Sequence, residues 1–209
     1  MRQDAAEQLL WRARALPVRV GSLLAPSMMA KSARTASKIH LGCGSNLLDG
    51  WANIDIAGPP GVVKFDLLQP LPYPSGAADL VFSEHFIEHV RKDQAARLLA
   101  ECARFLRPGG VFRVSTPDLS VLVEEYRSGR VSEWADMGWL PESPCDLINE
   151  GMRLWGHLYV WDESELTAAL VRSGFTSISR VARHESAIPD LRGLECRPFH
   201  GDLILEATK

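Results

Sequence analysis

The chain has 209 residues, which is enough for one domain with a substantial core and marginal for two. An apolar content of 46% and a charged content of 23% are ordinary for a globular protein. The four cysteines are widely spaced and include no C-x-x-C pair, which argues against a disulfide framework or a zinc knuckle and favours a reducing cytoplasm. The net charge of −3 combines +5 over residues 1–38 with −8 over residues 39–209, and this acidic body disfavours a nucleic-acid partner, whose phosphates need clustered Lys and Arg.

Residues 1–37 are expected to form a basic N-terminal helix and linker outside the main domain at residues 38–209. Apolar residues spaced among arginines over residues 3–17 predict an amphipathic helix, and small residues follow it. Such a helix can lie on an anionic membrane surface through residues 1–20, or it can pack on the domain or in a homodimer, which we favour. Neither a signal peptide nor a membrane span is expected, because the apolar runs are short and interrupted.

A short strand and a glycine turn come next. Ile39 and Leu41 alternate with polar residues and stop at Gly42-Cys43-Gly44, a pattern typical of a buried strand that ends in a turn. Because glycine lacks a Cβ and tolerates positive φ, a ligand can lie directly on such a main chain. Nucleotide-type cofactors use this junction at the carboxyl edge of open α/β sheets, although a lone Gly-x-Gly is about as often an ordinary turn.

A second apolar strand ends in an acid at Asn53-Ile54-Asp55-Ile56. A carboxylate at this place can accept both hydroxyls of a ribose. Asp55 follows Gly42 by 13 positions, whereas NAD sites place the acid about 20 residues on, and no third glycine has the dinucleotide spacing. The pattern indicates a ligand smaller than a dinucleotide and disfavours an NAD-dependent enzyme.

The following elements predict an α/β alternation with one irregularity. A strand is predicted over residues 62–67, but only five residues separate it from the strand before, too few for the crossover that parallel strands need. The sheet is therefore expected either to be trimmed at that edge or to carry a non-parallel strand there. Beyond it we predict a central strand at 78–83, a one-faced helix at 92–107 that stops at Pro108-Gly109-Gly110, and a strand at 111–116.

Residues 118–161 fit no standard βα unit and are interpreted as an insertion after the fifth strand. The insertion holds four of the six tryptophans and begins with a short predicted helix. Its aromatic side chains can form a lid that walls an acceptor site, since such rings suit sugars and other flat faces, or they can simply pack a helical insertion. A capping box at Asp162–Glu165 then predicts a helix ended by Gly174, followed by strands at 176–181 and 202–207.

Three blocks taken together resemble a known family: Leu41-Gly42-Cys43-Gly44 with Asp55, the run VFSEHFIEHV at 81–90, and the run FLRPGGV at 105–111. In order and spacing they resemble a class I S-adenosylmethionine-dependent methyltransferase of the branch that includes ubiquinone-biosynthesis O-methyltransferases. The resemblance covers residues 38–209 and implies an α/β fold with a Rossmann-like, doubly wound sheet of about seven strands. That sheet would be mostly parallel with the last strand antiparallel, with helices on both faces and the aromatic-rich insertion after strand 5. S-adenosyl-L-methionine is the implied cofactor.

The resemblance also implies which residues bind the cofactor. They are Gly42, Cys43, Gly44, Asp55, Asp66, Leu67, Ser83 and Glu84. The glycine turn would lie under the cofactor, Asp55 would bind the ribose, and Asp66 would accept from the amino group of the adenine. A strand-end cap is the alternative role for Asp66. The last two residues of the set, at the end of the fourth strand, would approach the methionine part.

A hydroxyl acceptor needs a base in addition to alignment with the methyl group, and histidine is the usual choice. We rank His157 and His85 first as catalytic residues, with His89 orienting one of them or the loop, and a structural role is the alternative for each. The block from His85 to His89 also spells H-x-x-E-H, which on a helix can bind zinc with Glu88 as base. Because the family commonly carries this Glu-His pair without a metal and no motif shows a third ligand, no metal is expected.

The sequence therefore predicts an S-adenosylmethionine-dependent methyltransferase that acts on a hydroxyl of a small molecule or a glycan. The acceptor class is suggested by the resemblance alone. The alternatives are a non-catalytic Rossmann-like scaffold, another nucleotide-dependent enzyme and, remotely, a zinc hydrolase built on H-x-x-E-H, because a fold does not guarantee an activity.

Overall fold

The computed structural model describes residues 35–131, 138–197 and 201–209. Its strands are β1 (Lys38–Leu41), β2 (Ala52–Asp55), β3 (Val63–Lys64), β4 (Ala78–Glu84), β5 (Leu106–Pro117), β6 (Ser177–Arg180) and β7 (Asp202–Thr208). Its helices are α1 (Lys92–Phe105), α2 (Leu119–Ser128), α3 (Pro144–Arg153) and α4 (Glu163–Arg172), with 3-10 turns at Ile87–His89, Leu154–Gly156 and Pro189–Leu191. The strands form one sheet with the spatial order β3-β2-β1-β4-β5-β7-β6.

The directions of the strands confirm the predicted fold class. Strands β1 to β5 pair in parallel, and β7 pairs antiparallel with both β5 and β6. The irregular edge strand is parallel to β2 but has only two residues, Val63 and Lys64, so the sheet is trimmed there. The predicted strand over residues 62–67 is therefore too long, and Asp66 lies beyond its end.

The main apolar core lies on the face of the sheet that α1 and α4 cover. Ile39, Val81 and Phe112 of three neighbouring strands point into it, together with the apolar stripe of α1. The predicted helix is confirmed, but it ends at Phe105, and the proline and two glycines that were expected to cap it lie inside the first part of β5.

The opposite face of the sheet carries polar side chains and is covered by the segment 181–197. Arg113 points to this face, is fully buried, and donates to Glu195 Oε1 and Glu206 Oε1 at 2.6 Å each. It also donates to the carbonyl of Glu185 at 2.8 Å. A buried guanidinium needs such partners, since an unpaired charge in the interior is strongly unfavourable. The covering segment is thus tied to the centre of the sheet by the Arg113–Glu195 ion pair and the bond to the Glu185 carbonyl, which no local sequence pattern predicts.

The insertion after β5 has a small core of its own. Helices α2 and α3 pack against each other, and the buried residues between them are Leu122, Trp139, Leu147 and Val160. Trp139 donates from its indole nitrogen to Glu150 at 2.7 Å, so this tryptophan packs the insertion rather than facing a ligand. The helix predicted after the insertion is confirmed, since the Asp162 side chain accepts from the Glu165 amide at 2.8 Å at the start of α4.

Strand β1 starts at Lys38, the first residue of the predicted main domain, and the boundary of that domain stays a prediction. The predicted basic helix of the N-terminal segment, and with it the proposed membrane or homodimer contact, lies outside the described residues, as does Trp134 of the insertion. Among the helices that the structure describes, none is both long and apolar enough to cross a bilayer.

Candidate active site

The glycine turn lies where the strand order of the sheet reverses. Strands β1 and β4 are neighbours at the centre, and the chain moves outward from β1 on one side and from β4 on the other. Leu41 pairs with Ser83, so Gly42 and Glu84 continue next to each other past the carboxyl edge. Such a switch point is where open α/β sheets bind their ligands.

Both glycines of the turn adopt backbone conformations that other residues disfavour. Gly42 has φ +68° and Gly44 has φ +55°. A Cβ on Gly42 would lie 2.6 Å from the side chain of Phe86, and a Cβ on Gly44 would lie 3.5 Å from Nη2 of Arg197. The first glycine is therefore required by close packing as well as by φ, whereas the second borders a positively charged side chain.

Asp55 closes this turn. Its Oδ2 accepts from the Gly44 amide at 2.8 Å, and its Oδ1 accepts from the Ala57 amide at 3.3 Å. Each carboxylate oxygen has a second lone pair, so both can still accept from ribose hydroxyls. Asp66 is buried and accepts from the Leu68 amide at 3.0 Å through Oδ1. This bond is the cap considered as the alternative role, and it leaves Oδ2 for a ligand.

Glu84 is held by a segment that the sequence did not connect with the site. Its buried carboxylate accepts from the backbone amides of Cys196 and Arg197, each at 3.0 Å. Ser83, by contrast, has a buried hydroxyl without a hydrogen-bond partner among the described residues. The end of β4 therefore offers one unused polar atom, while the adjacent carboxylate fixes the chain that covers the turn.

Cys43 and Leu67 complete the set that was predicted to bind the cofactor, and both are buried. Burial raises the pKa of the Cys43 thiol to about 12, so the side chain is a neutral apolar group. Leu67 packs into the main core. Neither side chain has a free polar atom, so only their main chain or apolar surface can serve a ligand.

His85 is held between two carboxylates. Its Nε2 lies 3.0 Å from Asp202 Oδ1, and its Nδ1 lies 3.3 Å from Glu88 Oε1. Burial alone would lower the pKa of His85, but the two acids outweigh it and raise the pKa to about 9. His85 is therefore an imidazolium at neutral pH, and it has no lone pair with which to accept a proton.

Glu88, His89 and His157 come together next to this pair. One donor atom from each residue lies within 4.8 Å of the other two. Burial lowers the pKa of His89 and of His157 below the usual value, so both rings are neutral at physiological pH. Burial would raise the pKa of Glu88, but His85 outweighs that effect and lowers it to about 2. The cluster thus combines a buried carboxylate with two neutral imidazoles.

Backbone hydrogen bonds join the end of the insertion to the turn after β4 and so create this cluster. The amides of Leu158 and Tyr159 donate to the carbonyl of Glu88 at 2.7 Å and 3.2 Å. The rings of His89 and His157 consequently meet edge to face, with centroids 5.1 Å apart. Residues that are widely separated in the sequence therefore share one site.

The H-x-x-E-H block does not form the helical metal motif that its spelling suggests. Only residues 87–89 are helical, as a single 3-10 turn, and His85 before them has φ +49°. His85 therefore turns to Asp202. His157 occupies the position that the motif would give to His85, and the geometry offers no support for a zinc hydrolase of the H-x-x-E-H type.

Comparison with known proteins agrees with this geometry. Residues 45–114 match the family described as a methyltransferase domain. A probable S-adenosylmethionine-dependent methyltransferase of Mycobacterium tuberculosis is 31% identical over 140 residues, which are 67% of this chain and 40% of that protein. One from Mycolicibacterium smegmatis is 51% identical over 56 residues, 27% of this chain and 21% of that protein. The chain therefore spans well under half the length of these curated relatives.

Solved structures show the same fold at low identity. A SAM-dependent methyltransferase from Archaeoglobus fulgidus superposes with a TM-score of 0.51 at 14% identity and covers 90% of this chain and 94% of its own. A putative O-methyltransferase from Nostoc punctiforme has a TM-score of 0.51 at 12% identity, with 93% and 56% covered. The sheet order and the glycine turn define a class I methyltransferase fold. The chain thus contains a methyltransferase domain with the class I fold, which confirms the recognition made from sequence, and its place in the ubiquinone-biosynthesis branch stays a prediction.

Proposed function

We propose that the protein is an S-adenosylmethionine-dependent methyltransferase that methylates a hydroxyl group of a small molecule or glycan. The observation that carries this proposal is the position of the Glu88–His89–His157 cluster, which follows β4 at the same sheet edge as the glycine turn. A cofactor on the turn and an acceptor at the cluster would then meet at the carboxyl end of the central strands.

The residues at the turn fit this cofactor. Asp55 retains lone pairs for the ribose, and the free Oδ2 of Asp66 suits the amino group of an adenine. Arg197 adds a positive charge next to Gly44, where it can pair with the carboxylate of the methionine part. Arg197 is not among the residues predicted from sequence to bind the cofactor, because nothing local links it to the turn.

The histidine cluster supplies the group that takes the acceptor's proton. S-adenosylmethionine provides a methyl group on a positively charged sulfur, so the protein mainly has to align the acceptor oxygen and remove its proton. His89 and His157 are neutral and can accept that proton, whereas His85 is already charged. We therefore assign base catalysis to the first two, and we assign His85 the role of holding Glu88 in place.

The surface beside the cluster favours an acceptor with an apolar face. Trp155 lies with its ring centroid 5.7 Å from that of His157 and is 39% exposed, and the neighbouring Leu158 is also exposed. An exposed indole next to a neutral base can stack on the flat face of a sugar ring or a similar molecule. This arrangement supports a hydroxylated small molecule or glycan, and the acidic body of the chain argues against a nucleic acid.

The proposal is tested by cofactor binding and by turnover. Calorimetry should show that the protein binds S-adenosylmethionine and S-adenosylhomocysteine but not NAD, and a panel of hydroxylated acceptors should identify one that releases S-adenosylhomocysteine. His157→Ala or His89→Ala should then lower turnover by about 10²–10⁴ without changing cofactor affinity, since a base acts only on the acceptor. His184→Ala, which removes an exposed histidine, is the control. A protein that binds no S-adenosylmethionine would refute the proposal, and one that binds it without any turnover would favour the scaffold.

A further inference from the structure

We propose that Glu88, His89 and His157 form a binding site for one divalent transition-metal ion, of the zinc class, at the acceptor side of the active site. Its catalytic role rests on the proposed methyl transfer, but the binding itself does not. The three donor atoms already lie within 4.8 Å of one another, and Glu88 Oε1 and His89 Nε2 are 3.9 Å apart. Ligands of one zinc ion at ~2.0–2.1 Å lie roughly 3.3–3.5 Å apart, so small side-chain rotations close the site.

The hydrogen bonds around the cluster orient each imidazole as a metal ligand is oriented. His157 Nδ1 lies 2.9 Å from the carbonyl oxygen of Gly151, which accepts its proton and leaves Nε2 with the lone pair. His89 hydrogen-bonds the backbone of Gly156 and turns Nε2 toward Glu88. Metal-binding histidines almost always donate their second ring N–H to a backbone carbonyl or a carboxylate, which fixes the tautomer and the ring. Both histidines meet that condition.

The carboxylate is prepared in the same way. Glu88 is completely buried, and its Oε2 accepts from the hydroxyl of Thr116 at 3.0 Å. Its Oε1 pairs with His85 Nδ1 at 3.3 Å, and His85 also pairs with Asp202, so the carboxylate is held in place. Two imidazole nitrogens and a carboxylate oxygen thus lie around one region, an arrangement that a bound cation would stabilise.

The donor set indicates which class of ion binds. Two imidazole nitrogens and one carboxylate oxygen suit zinc, cobalt, nickel or ferrous iron better than magnesium or calcium, which prefer oxygen ligands alone. Three protein ligands leave a fourth position open, as in catalytic rather than structural zinc sites. His89 is partly exposed, so an acceptor can reach that position from solvent.

A bound ion changes how the acceptor loses its proton. Coordination of the acceptor hydroxyl lowers its pKa, and the proton passes to water instead of to an imidazole. The acceptor oxygen then forms a bond to the methyl carbon while the carbon–sulfur bond breaks and its electron pair remains on sulfur. With the ion in place, His89 and His157 would hold it, and the base role assigned to them above applies to the metal-free protein.

The experiment measures metal binding directly and separately from turnover. Untagged full-length protein is stripped with a chelator and titrated with Co²⁺, whose visible absorption reports coordination by nitrogen, and competition with Zn²⁺ gives the affinity. We expect one ion per chain, and we expect Glu88→Gln, His89→Ala and His157→Ala each to weaken binding by about 100-fold or more. His184→Ala, which removes a histidine outside the cluster, should bind as the wild type does. Circular dichroism and S-adenosylmethionine affinity establish that the variants are folded.

Two results would overturn the proposal. One is a stripped protein that binds no stoichiometric ion, and the other is binding that the three substitutions leave unchanged. If the ion binds as expected but the metal-free protein methylates its acceptor at the full rate, the catalytic role of the ion is refuted and the proposed methyl transfer survives. If the ion binds as expected but no cofactor binds, the metal site survives and the proposed function fails.

Discussion

Oδ2 of Asp55 accepts a hydrogen bond from the backbone amide of Gly44 at 2.8 Å, so the acid after β2 and the glycine turn after β1 form one structural unit. The carboxylate thereby shapes the turn on which the cofactor is proposed to lie and is itself proposed to bind the ribose of that cofactor. The sequence suggested the second role only.

Asp55→Ala should therefore weaken S-adenosylmethionine binding. Loss of a charged hydrogen-bond acceptor costs about 1.5–3 kcal/mol, which corresponds to roughly 10- to 150-fold in affinity. Asp55→Asn keeps an oxygen for the Gly44 amide and should lose less. Isothermal titration calorimetry measures both variants, and an affinity equal to that of the wild type in Asp55→Ala would show that the site is misplaced.

Gly42→Ala should destabilise the protein more than the same change at a glycine in open space. Gly42 has φ +68° and would place its Cβ 2.6 Å from Phe86, whereas Gly129, at the end of α2, has φ +71° and nothing within 4 Å of the added atom. The left-handed conformation costs about 1–2 kcal/mol in both variants. Urea denaturation should therefore show a larger loss of unfolding free energy for Gly42→Ala, and equal losses would mean that Phe86 moves aside without cost.

The ion pairs of Arg113 should stabilise the segment that covers the polar face of the sheet. Arg113→Met leaves the carboxylates of Glu195 and Glu206 without their buried partner, and breaking such a pair costs about 3–5 kcal/mol. Arg107→Met is the control in the same strand, because its pair with Asp79 is exposed and worth about 1 kcal/mol or less. The midpoint of urea denaturation distinguishes them, and similar shifts for both variants would contradict the buried network.

Local patterns explain which features the sequence could supply. The strand before Gly42, the acid that ends the next strand at Asp55 and the start of α4 after Asp162 are each encoded within a few residues, and all appear where predicted. The features that were missed depend on contacts across the chain. Glu84 meets the amide of Cys196 112 positions away, and Arg113 meets Glu195 82 positions away.

The histidines are a further case in which contacts between distant parts of the chain decide the structure. The spelling H-x-x-E-H pairs His85 with His89 if the segment is a helix, but the chain forms a 3-10 turn there. His85 pairs with Asp202, from the distant strand β7, and His157 arrives from the insertion. These long-range neighbours decide the charge state of each histidine. The ranking of catalytic histidines made from sequence could therefore not take the charge state into account.

His40 should make the protein less stable as the pH falls. It is buried on the polar face, and desolvation lowers its pKa from about 6.5 to about 4 despite a hydrogen bond to Asn53. The unfolded chain therefore takes up this proton near pH 6.5 and the folded chain only near pH 4, so unfolding is favoured progressively between those values. The contribution is on the order of 3 kcal/mol, fully present above pH 6.5 and lost below pH 4.

Urea denaturation at a series of pH values measures this effect. His40→Leu removes the titrating group. The unfolding free energy of the wild type minus that of the variant should therefore decrease as the pH falls from 7 to 4. A constant difference across that range would show that His40 titrates alike in the folded and unfolded chains.

Arg197 should recognise the carboxylate of the cofactor's methionine part. Its amide is fixed by Glu84 and its guanidinium borders Gly44, while the side chain itself is exposed and makes no ion pair with the described residues. Arg197→Met removes the charge and leaves the backbone bond to Glu84 intact. S-adenosylmethionine should then bind about tenfold more weakly. This is the lower end of the range for a charged hydrogen bond, because the site is open to solvent.

Decarboxylated S-adenosylmethionine, which keeps the amine and the sulfonium, should bind wild type and variant alike. Arg192→Met, an exposed arginine of the same covering segment, is the matched control. If Arg197→Met weakened both ligands equally, the side chain would act on the turn itself and not on the carboxylate.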